Sequence, residues 1–396
     1  MSKNLLILTT RYPHKFDEIS SSFIYNLVNY QKNRFNRIVV ISATPFIPSF
    51  LSKFFKSSRL LDLKASDYSY DNVQVHYLKN LFLPLSFGYN FRGYQGFRKA
   101  RKYLKKLNLN FDIIHSHFSW PSGDIGIRLK KELKIPLFVT VHENRDWLIK
   151  EKENKYIRHV WQEANGLIRV NKIDVDLLSE YNNNVKFIPN GFDHQQYSGI
   201  SKLEARKILK INKDHKIIYS LGNLIERKGF LDLLEAFNLC FKNQNHIKLF
   251  IGGNGPLRDK LQKYIDKNRL NNVKLLGYLP KEDLPLWMNA SDIFTLASYS
   301  EGNPTVMFEA LGCGKPVIST RVGGIPEIIT NDDYGFLVDN NSKDIGNKLK
   351  IAINEVWDNN KIKRYGSNFS WEKIESETFN FFLSSEDFLR NGRSIS

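Results

Sequence analysis

The chain has 396 residues, of which 42% are hydrophobic and 25% are charged. This composition predicts a folded protein of two or three domains and excludes a chain that is disordered throughout. No run of residues is long and apolar enough to predict a membrane-spanning helix. The two cysteines, Cys240 and Cys313, are too few for a disulfide framework or a zinc motif, so a reducing cytoplasm is the expected compartment.

The formal net charge is +17, and it is distributed unevenly along the chain. Residues 1–200 contain 30 Lys and Arg against 17 Asp and Glu, a net charge of +13, whereas residues 201–396 contain 28 against 24, a net charge of +4. The basic first half favours an anionic partner, which could be a membrane surface, a nucleic acid or a phosphorylated substrate. The alternative interpretation is an ordinary solvated surface rich in lysine.

Short apolar runs alternate with helical patterns along the first half of the chain. Strands are predicted at 5–8, 38–41, 73–77, 111–115 and 137–141, and helices at 23–30 and 124–133. The predicted strands are almost entirely apolar, which is typical of strands that are covered on both faces. Strand–helix alternation of this kind predicts a parallel sheet with right-handed crossovers.

The same alternation restarts after residue 215. Strands are predicted at 217–221, 247–251, 273–276, 293–296 and 316–319, and helices at 230–240 and 257–267. The Pro-Asn-Gly sequence at 189–191 has the turn chemistry of a hinge. We therefore predict two doubly wound α/β domains at 1–188 and 189–370, followed by a C-terminal segment at 371–396. Two such domains that face each other make a cleft, and their ligands bind outside the carboxyl ends of the strands.

The most informative motif follows the strand predicted at 293–296. Glu301 and Gly302 occupy a loop there, and Pro304 is expected in the first turn of a helix, where no backbone N–H is needed. The N–H groups of that turn have no helical partners and lie at the positive end of the helix dipole, so they form an anion site that suits a diphosphate. These groups come from the residues between Asn303 and Val306.

Two carboxylates flank this turn. Glu309 lies about five residues into the helix, where it can accept hydrogen bonds from the ribose hydroxyls of a nucleotide. Glu301 lies in the loop, nearer the expected reacting centre. Taken alone, each is explained better as a surface acid or as an acid that complements the helix dipole, and the surrounding motifs favour a site instead.

Two further strand-to-helix loops carry candidate residues. After the strand at 217–221, Arg227 and Lys228 can clamp a leaving diphosphate as charge develops on it, although paired cations on an exposed loop are common. After the strand at 247–251, Gly253 permits a close approach of the backbone to a ligand, although a packing turn explains this glycine equally well.

Histidines also follow predicted strands in the first half of the chain. His142 comes directly after the strand at 137–141 and is expected to face the cleft, the alternative being a core or solvent histidine. His115 and His117 lack a third ligand at metal-binding spacing, which argues against a zinc site.

The acidic pair Asp174 and Asp176 has the Asp-x-Asp sequence pattern of metal-dependent sugar transferases. We expect these residues instead at the start of a helix at 175–180, with Asp174 or Asn171 as its cap. The sequence therefore predicts no metal site.

A dense basic segment at 91–107 contains seven cations and no acid. Its apolar residues can share one helix face, and apolar stretches precede it at 45–51 and 81–85. Together these features predict docking on anionic lipid headgroups, the alternative being an ordinary amphipathic helix of the first domain. The apolar face consists of Phe97, Tyr103, Leu104 and Leu107, and the cations assigned to membrane or acceptor contact are Arg98, Lys99, Arg101 and Lys102.

In combination, these motifs resemble the retaining glycosyltransferases of family 4, of the bacterial or archaeal surface-polysaccharide type, which have the GT-B fold. Glu301 and Glu309 match the family's Glu-x7-Glu motif. Further similar segments lie at 189–191, 255–257, 278–280, 291–292, 312–316, 323–327, 335–338 and 369–371. The resemblance covers nearly the whole chain. It implies two facing Rossmann-like domains, the first for the acceptor and the second for the nucleotide sugar, with a helix at 371–382 crossing back to the first.

The resemblance also implies roles for single residues. Lys228 should hold the diphosphate, Glu309 should bind ribose and Glu301 should contact the donor hexose. His142 matches the family's active-site histidine, which makes it and Glu301 the expected catalytic residues. The other expected donor-binding residues are Asn223, Arg227, Gly253, Tyr278, Leu279, Gly302, Asn303, Pro304, Thr305 and Val306. The family often has an arginine where this chain has Asn223, so we expect Arg227 to replace that cation or Lys228 to act alone.

The implied reaction is transfer of a hexosyl unit from a nucleotide diphosphate sugar, with a UDP-sugar as the expected donor, to an acceptor hydroxyl with retention of configuration. Polysaccharide, lipopolysaccharide or glycolipid biosynthesis is the expected context. No metal or other cofactor is implied. The expected partners are the donor, a glycan or lipid-linked acceptor and an anionic membrane surface, and not a nucleic acid. The expected location is the cytoplasm, including the inner face of the cytoplasmic membrane.

Three alternatives differ in how well the sequence supports them. A GT-B enzyme of other chemistry, such as a sugar-nucleotide epimerase or a glucan synthase, would share these motifs. A nicotinamide-dependent oxidoreductase would need Gly-x-Gly-x-x-Gly after the first strand, where residues 9–13 contain no glycine. A nucleic-acid-binding protein is suggested by charge alone, without a docking motif.

Overall fold

The computed structural model describes residues 3–14, 22–46, 65–81 and 88–384. The chain forms two compact units. We call them the first unit, Met1–Pro189 with Ile374–Ser396, and the second unit, Asn190–Lys373. Because the last residues belong to the first unit, the second unit is a continuous segment inserted into the first.

The first unit is built on a parallel sheet with one antiparallel edge strand. Its described strands are β1 (Asn4–Thr9), β2 (Arg37–Phe46), β3 (Tyr68–Tyr70), β4 (Val73–Leu81), β5 (Ile113–His117), β6 (Leu137–Val141), β7 (Gly166–Arg169) and β8 (Val185–Phe187). Their order is β3-β4-β2-β1-β5-β6-β7-β8, and β3 is antiparallel to β4. The central strands β1, β5 and β6 are buried along nearly their whole length, as expected for strands that are covered on both faces.

The helices of the first unit connect these strands. The described ones are Ser22–Gln31, Gly88–Leu107, Asp124–Leu133, Arg145–Glu151, Lys155–Glu163, Val175–Ser179 and Trp371–Leu383. Asn144 and Asn154 each begin one of them, because each side chain accepts a hydrogen bond from a backbone N–H of the first turn.

The C-terminal helix Trp371–Leu383 completes the core of the first unit. Its residues from Ile374 onward belong to that unit. The rings of Phe381 and Phe382 lie 5.5 and 4.7 Å from the ring of Phe138 on β6. Residues at the end of the chain therefore cover strands formed by its first half.

The second unit, all of whose residues are described, is built on a parallel sheet of six strands. These are β9 (Lys216–Leu221), β10 (Ile247–Gly252), β11 (Val273–Gly277), β12 (Ile293–Leu296), β13 (Val317–Thr320) and β14 (Gly335–Val338). Their order is β11-β10-β9-β12-β13-β14, which is the order 3-2-1-4-5-6 of a dinucleotide-binding sheet.

The helices of the second unit are His194–Ser198, Lys202–Ile208, Phe230–Phe241, Arg258–Lys267, Leu284–Ala290, Thr305–Gly312, Ile325–Ile328, Ser342–Ala352 and Asn359–Gly366. Apolar residues of β9, β10, β12 and β13 form its core together with those of the longer helices. Each strand predicted from the sequence is present. The observed strands β3, β7, β8 and β14 have no counterpart among the predicted ones.

Candidate functional site

Each sheet has a topological switch point, which is where ligands bind in doubly wound folds. In the second unit, β9 has β10 on one side and β12 on the other. The loop after β9 carries Arg227 and Lys228, and the loop after β12 carries Glu301. In the first unit, His117 ends β5 and His142 directly follows β6.

Glu301 is the centre of a charged cluster with Arg227, Lys228 and Ser298. Its Oε1 lies 2.5 Å from Lys228 Nζ and accepts the hydroxyl of Ser298 at 2.6 Å. Its Oε2 accepts an N–H of Arg227 at 3.1 Å. Only 6% of the Glu301 side chain is exposed, against 13% of Lys228 and 45% of Arg227. The interpretation of Glu301 as a surface acid is therefore wrong.

The cations keep Glu301 ionised. Burial by itself would raise the pKa of this carboxyl. The charge and hydrogen bond of Lys228, the hydroxyl of Ser298 and the charge of Arg227 outweigh burial, so the pKa of Glu301 is lowered below its ordinary value. The cluster thus holds two cations beside one carboxylate at the carboxyl edge of the sheet.

A glycine allows the two loops of the charged cluster to meet. Gly229 has a φ of +62°, and a Cβ at this position would lie 1.8 Å from the carbonyl oxygen of Ala297. Only glycine fits such a close approach at positive φ. Gly229 follows a short 3₁₀ turn that ends at Lys228, and the helix Phe230–Phe241 begins directly after Gly229.

The helix predicted after β12 spans Thr305–Gly312, and Pro304 precedes its first turn instead of lying within it. No side chain caps this N-terminus. The side chain of Asn303 accepts the backbone N–H of Asn190 at 3.1 Å. A Cβ built at Gly302 would meet no atom within 4 Å, so there is open space beside the helix N-terminus, where Thr305 and Val306 supply backbone N–H groups.

Glu309 lies inside this helix. Its Oε2 is out of contact with solvent and has no hydrogen-bond partner among the described residues. Burial raises the pKa of Glu309 to about 7, against the opposite effect of a hydrogen bond with Tyr197. A buried oxygen without a partner is costly, and ligand hydroxyls would satisfy it.

The other predicted donor-binding residues have varied surroundings. Gly253 has a φ of +122°, and a Cβ there would lie 1.9 Å from the carbonyl oxygen of Gly222, so a packing turn accounts for this glycine. Tyr278 follows β11 and is 63% exposed. Leu279 packs against the core of the second unit. Asn223 is exposed.

The first unit brings His142 together with His115 and His117. His117 Nδ1 lies 3.0 Å from His142 Nε2, and the planes of the two rings differ by 15°. The rings of His115 and His117 lie 4.2 Å apart, and His115 Nε2 lies 2.7 Å from the hydroxyl of Thr140. This histidine cluster forms because alternate residues of a strand point to the same face and β5 pairs His117 with Thr140.

The histidine cluster is neutral. Burial lowers the pKa of all three imidazoles, to about 3 for His115. The positive charge of Arg169 lowers the pKa of His142 further. Beside the cluster, Oε1 of Glu143 accepts the backbone N–H of Ser119 at 2.6 Å, and burial raises the pKa of this carboxyl.

Two family models match this chain. Residues 201–369 match Glycosyl transferases group 1, and residues 20–196 match Glycosyltransferase Family 4. The chain belongs to glycosyltransferase family 4. The resemblance to family 4 that the sequence motifs indicate is confirmed, and the protein is a glycosyltransferase enzyme.

Known proteins resemble this glycosyltransferase along most of its length. An uncharacterized glycosyltransferase of Methanocaldococcus jannaschii is 28% identical over 80% of this chain and 88% of its own. The alpha-monoglucosyldiacylglycerol synthase of Streptococcus pneumoniae is 29% identical over 62% of this chain and 59% of its own. The crystal structure of Anabaena HepE in complex with UDP is 18% identical, covers 96% of this chain and 100% of its own, and has a TM-score of 0.71. The GT-B fold is thereby confirmed.

Sequence reasoning missed two residues that contact the predicted ones: Ser298 donates to Glu301, and Tyr197 bonds with Glu309. It considered His117 only as a metal ligand, whereas the structure places it in contact with His142. The position of Ser298, two residues after β12, was a usable signal. Tyr197 lies more than 100 residues before Glu309, and nothing in the local sequence relates the two.

The helix expected at 175–180 is present as Val175–Ser179, and Asp174 occupies its N-cap position. The prediction that Asp174 or Asn171 caps it is wrong, because neither side chain makes a cap hydrogen bond. The Asp174 carboxylate instead lies 2.5 Å from the guanidinium of Arg169, and both side chains are fully buried. Arg169 also donates to the carbonyl oxygen of Val141 at 2.6 Å, so the ion pair braces the end of β6.

The basic segment lies within the helix Gly88–Leu107. Its apolar face packs against the core of the first unit and is not available to lipid, so the prediction that this face docks on headgroups is wrong. By contrast, the side chains of Phe91 and Tyr94, which are not part of that face, are 42% and 47% exposed. The apolar face comprises the buried Ala100 and Leu104 and the partly buried Phe97, Tyr103 and Leu107.

The four cations assigned to membrane contact are exposed, and two of them contact oxygen atoms of the same unit. Arg101 pairs with Glu132 at 2.7 Å, and Lys99 donates to the carbonyl oxygen of Lys79. The apolar stretches 45–51 and 81–85 lie largely outside the described residues. Within residues 3–14, 22–46, 65–81 and 88–384, no helix is both long and apolar enough to span a bilayer. In the same ranges, no group of three or more His, Cys, Asp and Glu side chains is arranged to hold a metal ion.

Proposed function

We propose that this enzyme transfers a hexosyl unit from a UDP-sugar to a hydroxyl group of a glycan or lipid-linked acceptor, with retention of configuration. The observation that carries the proposal is the charged cluster, in which two cations meet one carboxylate at the switch point of the second unit. Nucleotides bind at this crevice in doubly wound sheets. HepE, a GT-B neighbour, has been solved with UDP and with UDP-glucose, which supports this donor.

Arg227 and Lys228 supply the positive charge for the diphosphate. Both contact Glu301, and phosphate oxygens offer them the same kind of charge-assisted hydrogen bond. Arg227 is the more exposed of the two, so it can turn toward a phosphate at little cost. Arg227 thereby replaces the family arginine at the position of Asn223. The N–H groups at the start of the helix Thr305–Gly312 add further donors.

Glu309 binds the ribose. Its Oε2 lacks a partner among the described residues, and a carboxylate can accept hydrogen bonds from two adjacent hydroxyls. Ribose hydroxyls would therefore remove the cost of burying this oxygen.

The transfer step breaks the bond between the anomeric carbon and the diphosphate oxygen, and the electron pair leaves with the diphosphate. The acceptor oxygen bonds to the same face of the anomeric carbon, and its proton passes to the departing phosphate. Lys228, Arg227 and the helix N-terminus stabilise the negative charge that builds on the leaving group. Glu301 contacts the hexose, and His142 assists its transfer. The scheme assigns no step to a metal or other cofactor.

The acceptor is a glycan or lipid that is reached at the inner face of the cytoplasmic membrane. Support comes from the relative named alpha-monoglucosyldiacylglycerol synthase and from the exposed cations and aromatic rings of the helix Gly88–Leu107. Both observations support a role in polysaccharide, lipopolysaccharide or glycolipid biosynthesis, carried out by a cytoplasmic protein that contacts the membrane.

Binding and product analysis test the donor assignment. A panel of nucleotide sugars is screened by thermal shift and then by hydrolysis of a labelled donor, and we expect UDP-sugars to give the largest responses. In calorimetry with UDP, Lys228→Ala and Glu309→Ala should each lower the affinity by about 1.5–3 kcal/mol, the value of one hydrogen bond to a charged group.

Lys260→Ala is the matched control, because Lys260 is an exposed lysine of the same unit that pairs with Glu226 at 3.2 Å. It should bind UDP like the wild type. Unchanged affinity in both site variants, with the fold intact, would contradict the donor site. A labelled donor that is isomerised without transfer would identify an epimerase instead.

A further inference from the structure

Three imidazoles and one hydroxyl share a face of the first-unit sheet near its carboxyl edge. His115 and His117 alternate on β5, and Thr140 precedes His142 by two residues at the end of β6. The pair formed by His117 Nδ1 and His142 Nε2, 3.0 Å apart, is at hydrogen-bond distance. One of these nitrogens must donate and the other must accept.

The second nitrogen of His117 decides which ring donates. His117 Nε2 is buried and has no hydrogen-bond partner among the described residues. If His142 donated, neutral His117 would carry its proton on Nε2, and a buried N–H would have no acceptor. If His117 donates from Nδ1, its Nε2 holds only a lone pair. Buried N–H groups without a partner are rarer in proteins than acceptors that are short of a donor.

We therefore propose that His117 is a positioning residue whose Nδ1–H donates to Nε2 of His142 and thereby fixes the proton of His142 on Nδ1. The consequence for turnover rests on the proposed role of His142 in sugar transfer. Burial lowers the pKa of both imidazoles, so the pair stays neutral at pH 7 and the arrangement of its protons is retained.

This arrangement determines what His142 can do. With Nε2 occupied, the ring offers a ligand only the N–H at Nδ1. The ring also packs against Phe23 and Phe118, with centroids 4.7 and 5.0 Å away, which restricts its reorientation. His142 is then a hydrogen-bond donor to an oxygen of the transferred sugar and not a general base. The acceptor proton accordingly goes to the leaving phosphate.

The protonation of His142 can be read directly by NMR on the full chain labelled with ¹⁵N-histidine. The ring nitrogens of each tautomer have distinct ¹⁵N shifts, and the signals of His142 are assigned by their loss in His142→Ala. We expect a protonated Nδ1 and an unprotonated Nε2. A proton on Nε2 of His142 would overturn the proposal whatever the activity.

Two variants of His117 separate the hydrogen bond from packing. His117→Asn places an amide N–H near the former Nδ1 and should keep the tautomer of His142. His117→Phe keeps a ring but removes the donor, so His142 should shift toward protonation at Nε2. His115→Phe is the matched control, because it alters the same cluster without removing that donor, and His142 should keep its tautomer. An unchanged tautomer in His117→Phe contradicts the proposal.

Turnover gives the second readout. In His117→Phe, kcat should fall about tenfold, the effect of one misplaced hydrogen bond, while UDP affinity and donor KM stay unchanged. His117→Asn should restore most of the loss. Wild-type kcat in His117→Phe would overturn the positioning role if His142→Ala is impaired. If His142→Ala is also fully active, the proposed role of His142 in transfer fails instead, and the NMR result still decides the tautomer.

Discussion

The two units place opposite kinds of polar group at the carboxyl edges of their sheets. The second unit concentrates charge there: Glu301, nearly buried, binds Lys228 and Arg227. The first unit carries most of the net charge of the chain, but at its sheet edge the neutral imidazoles of the histidine cluster lie beside one buried ion pair, Arg169 with Asp174. Other cations of this unit lie on the surface, for example along the helix Gly88–Leu107.

This difference shows how each site offsets the cost of burying its polar side chains. In the second unit, ion pairing offsets the desolvation of a carboxylate and lowers its pKa. In the first unit, the three histidines avoid the same cost by remaining uncharged, since burial lowers the pKa of each of them. Removing the charge of Glu301 should therefore impair the second unit, whereas protonating the histidines should destabilise the first unit.

The largest expected effect comes from removing the charge of Glu301. Glu301→Gln keeps the shape of the side chain but no longer contacts the sugar or holds the cations as a carboxylate, so kcat should fall about a hundredfold. UDP affinity should not fall, because the carboxylate competes with phosphate for Lys228 and Arg227. Steady-state kinetics and UDP calorimetry measure the two effects separately.

Ser298→Ala is the control for Glu301→Gln. It removes one hydroxyl donor to Glu301 but leaves both cations in place, so its kcat should fall much less. Equal losses in the two variants would show that geometry, and not the charge of Glu301, matters for transfer.

Next in size is the loss of the His142 imidazole. His142→Ala should lower kcat by about tenfold or more, because a hydrogen bond to the transferred sugar is lost, and it should leave UDP affinity unchanged. Kinetics and calorimetry are run beside His159→Ala, a histidine outside the cluster on the helix Lys155–Glu163. Wild-type turnover in His142→Ala would mean that this histidine is structural.

Acid should destabilise the first unit before the second. His115 has a pKa of about 3 in the folded chain and an ordinary value of 6.5, so the unfolded chain binds the proton first as the pH falls. At pH 5 this costs about 2 kcal/mol of the free energy of unfolding, and His117 acts in the same direction. Glu309 acts oppositely: its pKa is raised to about 7, so its contribution to stability grows as the pH falls from 7 toward 4.5.

Peptide-resolved hydrogen exchange between pH 7.5 and 5, corrected for the intrinsic exchange rate, measures this difference. Protection should fall first in β5 and β6. His115→Phe should flatten the pH dependence of the first unit, and Glu309→Gln should alter that of the second unit alone. Simultaneous loss of protection in both units would refute the comparison.

A further expected effect concerns the surface charge of the first unit. Replacing Arg98, Lys99, Arg101 and Lys102 with Gln should weaken binding to anionic vesicles. The side chain of Arg101 is held by Glu132 and that of Lys99 by a carbonyl oxygen of the same unit, so we count only Arg98 and Lys102 as contacts to lipid. The loss should be about 2 kcal/mol, or roughly thirtyfold in partitioning. Sedimentation with vesicles of graded anionic content measures it, and salt should imitate the variant.

The second unit provides a matched control of equal charge. Its helix Arg258–Lys267 carries four cations, Arg258, Lys260, Lys263 and Lys267, and their replacement by Gln should leave vesicle binding unchanged. Equal losses in the two quadruple variants would assign the binding to net charge. No binding by the wild type would end the membrane hypothesis.

The sequence predicts the sheet cores of both units because few structures other than a buried strand accommodate a short, continuous run of apolar residues between turn residues. Strand β7 escapes prediction because Arg169 limits its apolar run to Leu167 and Ile168, and strand β8 because it has only three residues. β8 is also a half-buried edge strand whose middle residue is Lys186, so it lacks the continuous apolar pattern of a central strand. Their place in the sheet is set by pairing with distant residues.

The site residues are likewise predictable from the local sequence only in part. Lys228 and Glu301 are predictable one at a time because each follows a strand, but they are 73 residues apart, and only the fold places them 2.5 Å from each other. The helix Gly88–Leu107 is predicted correctly, yet its pattern does not say what covers the apolar face. A protein core and a lipid surface require the same residues there, and the fold selects the core.

The helix Trp371–Leu383 affects the order in which the molecule can mature during synthesis. The ribosome releases the strands of the first unit early, but Phe381 and Phe382, which cover Phe138, emerge only after the whole second unit. The second unit is continuous in sequence and needs no later residues. It can therefore finish folding on the ribosome while the first unit, although synthesised earlier, waits for its last helix. A purified chain truncated after residue 373 should contain a protease-resistant second unit and a protease-sensitive first unit.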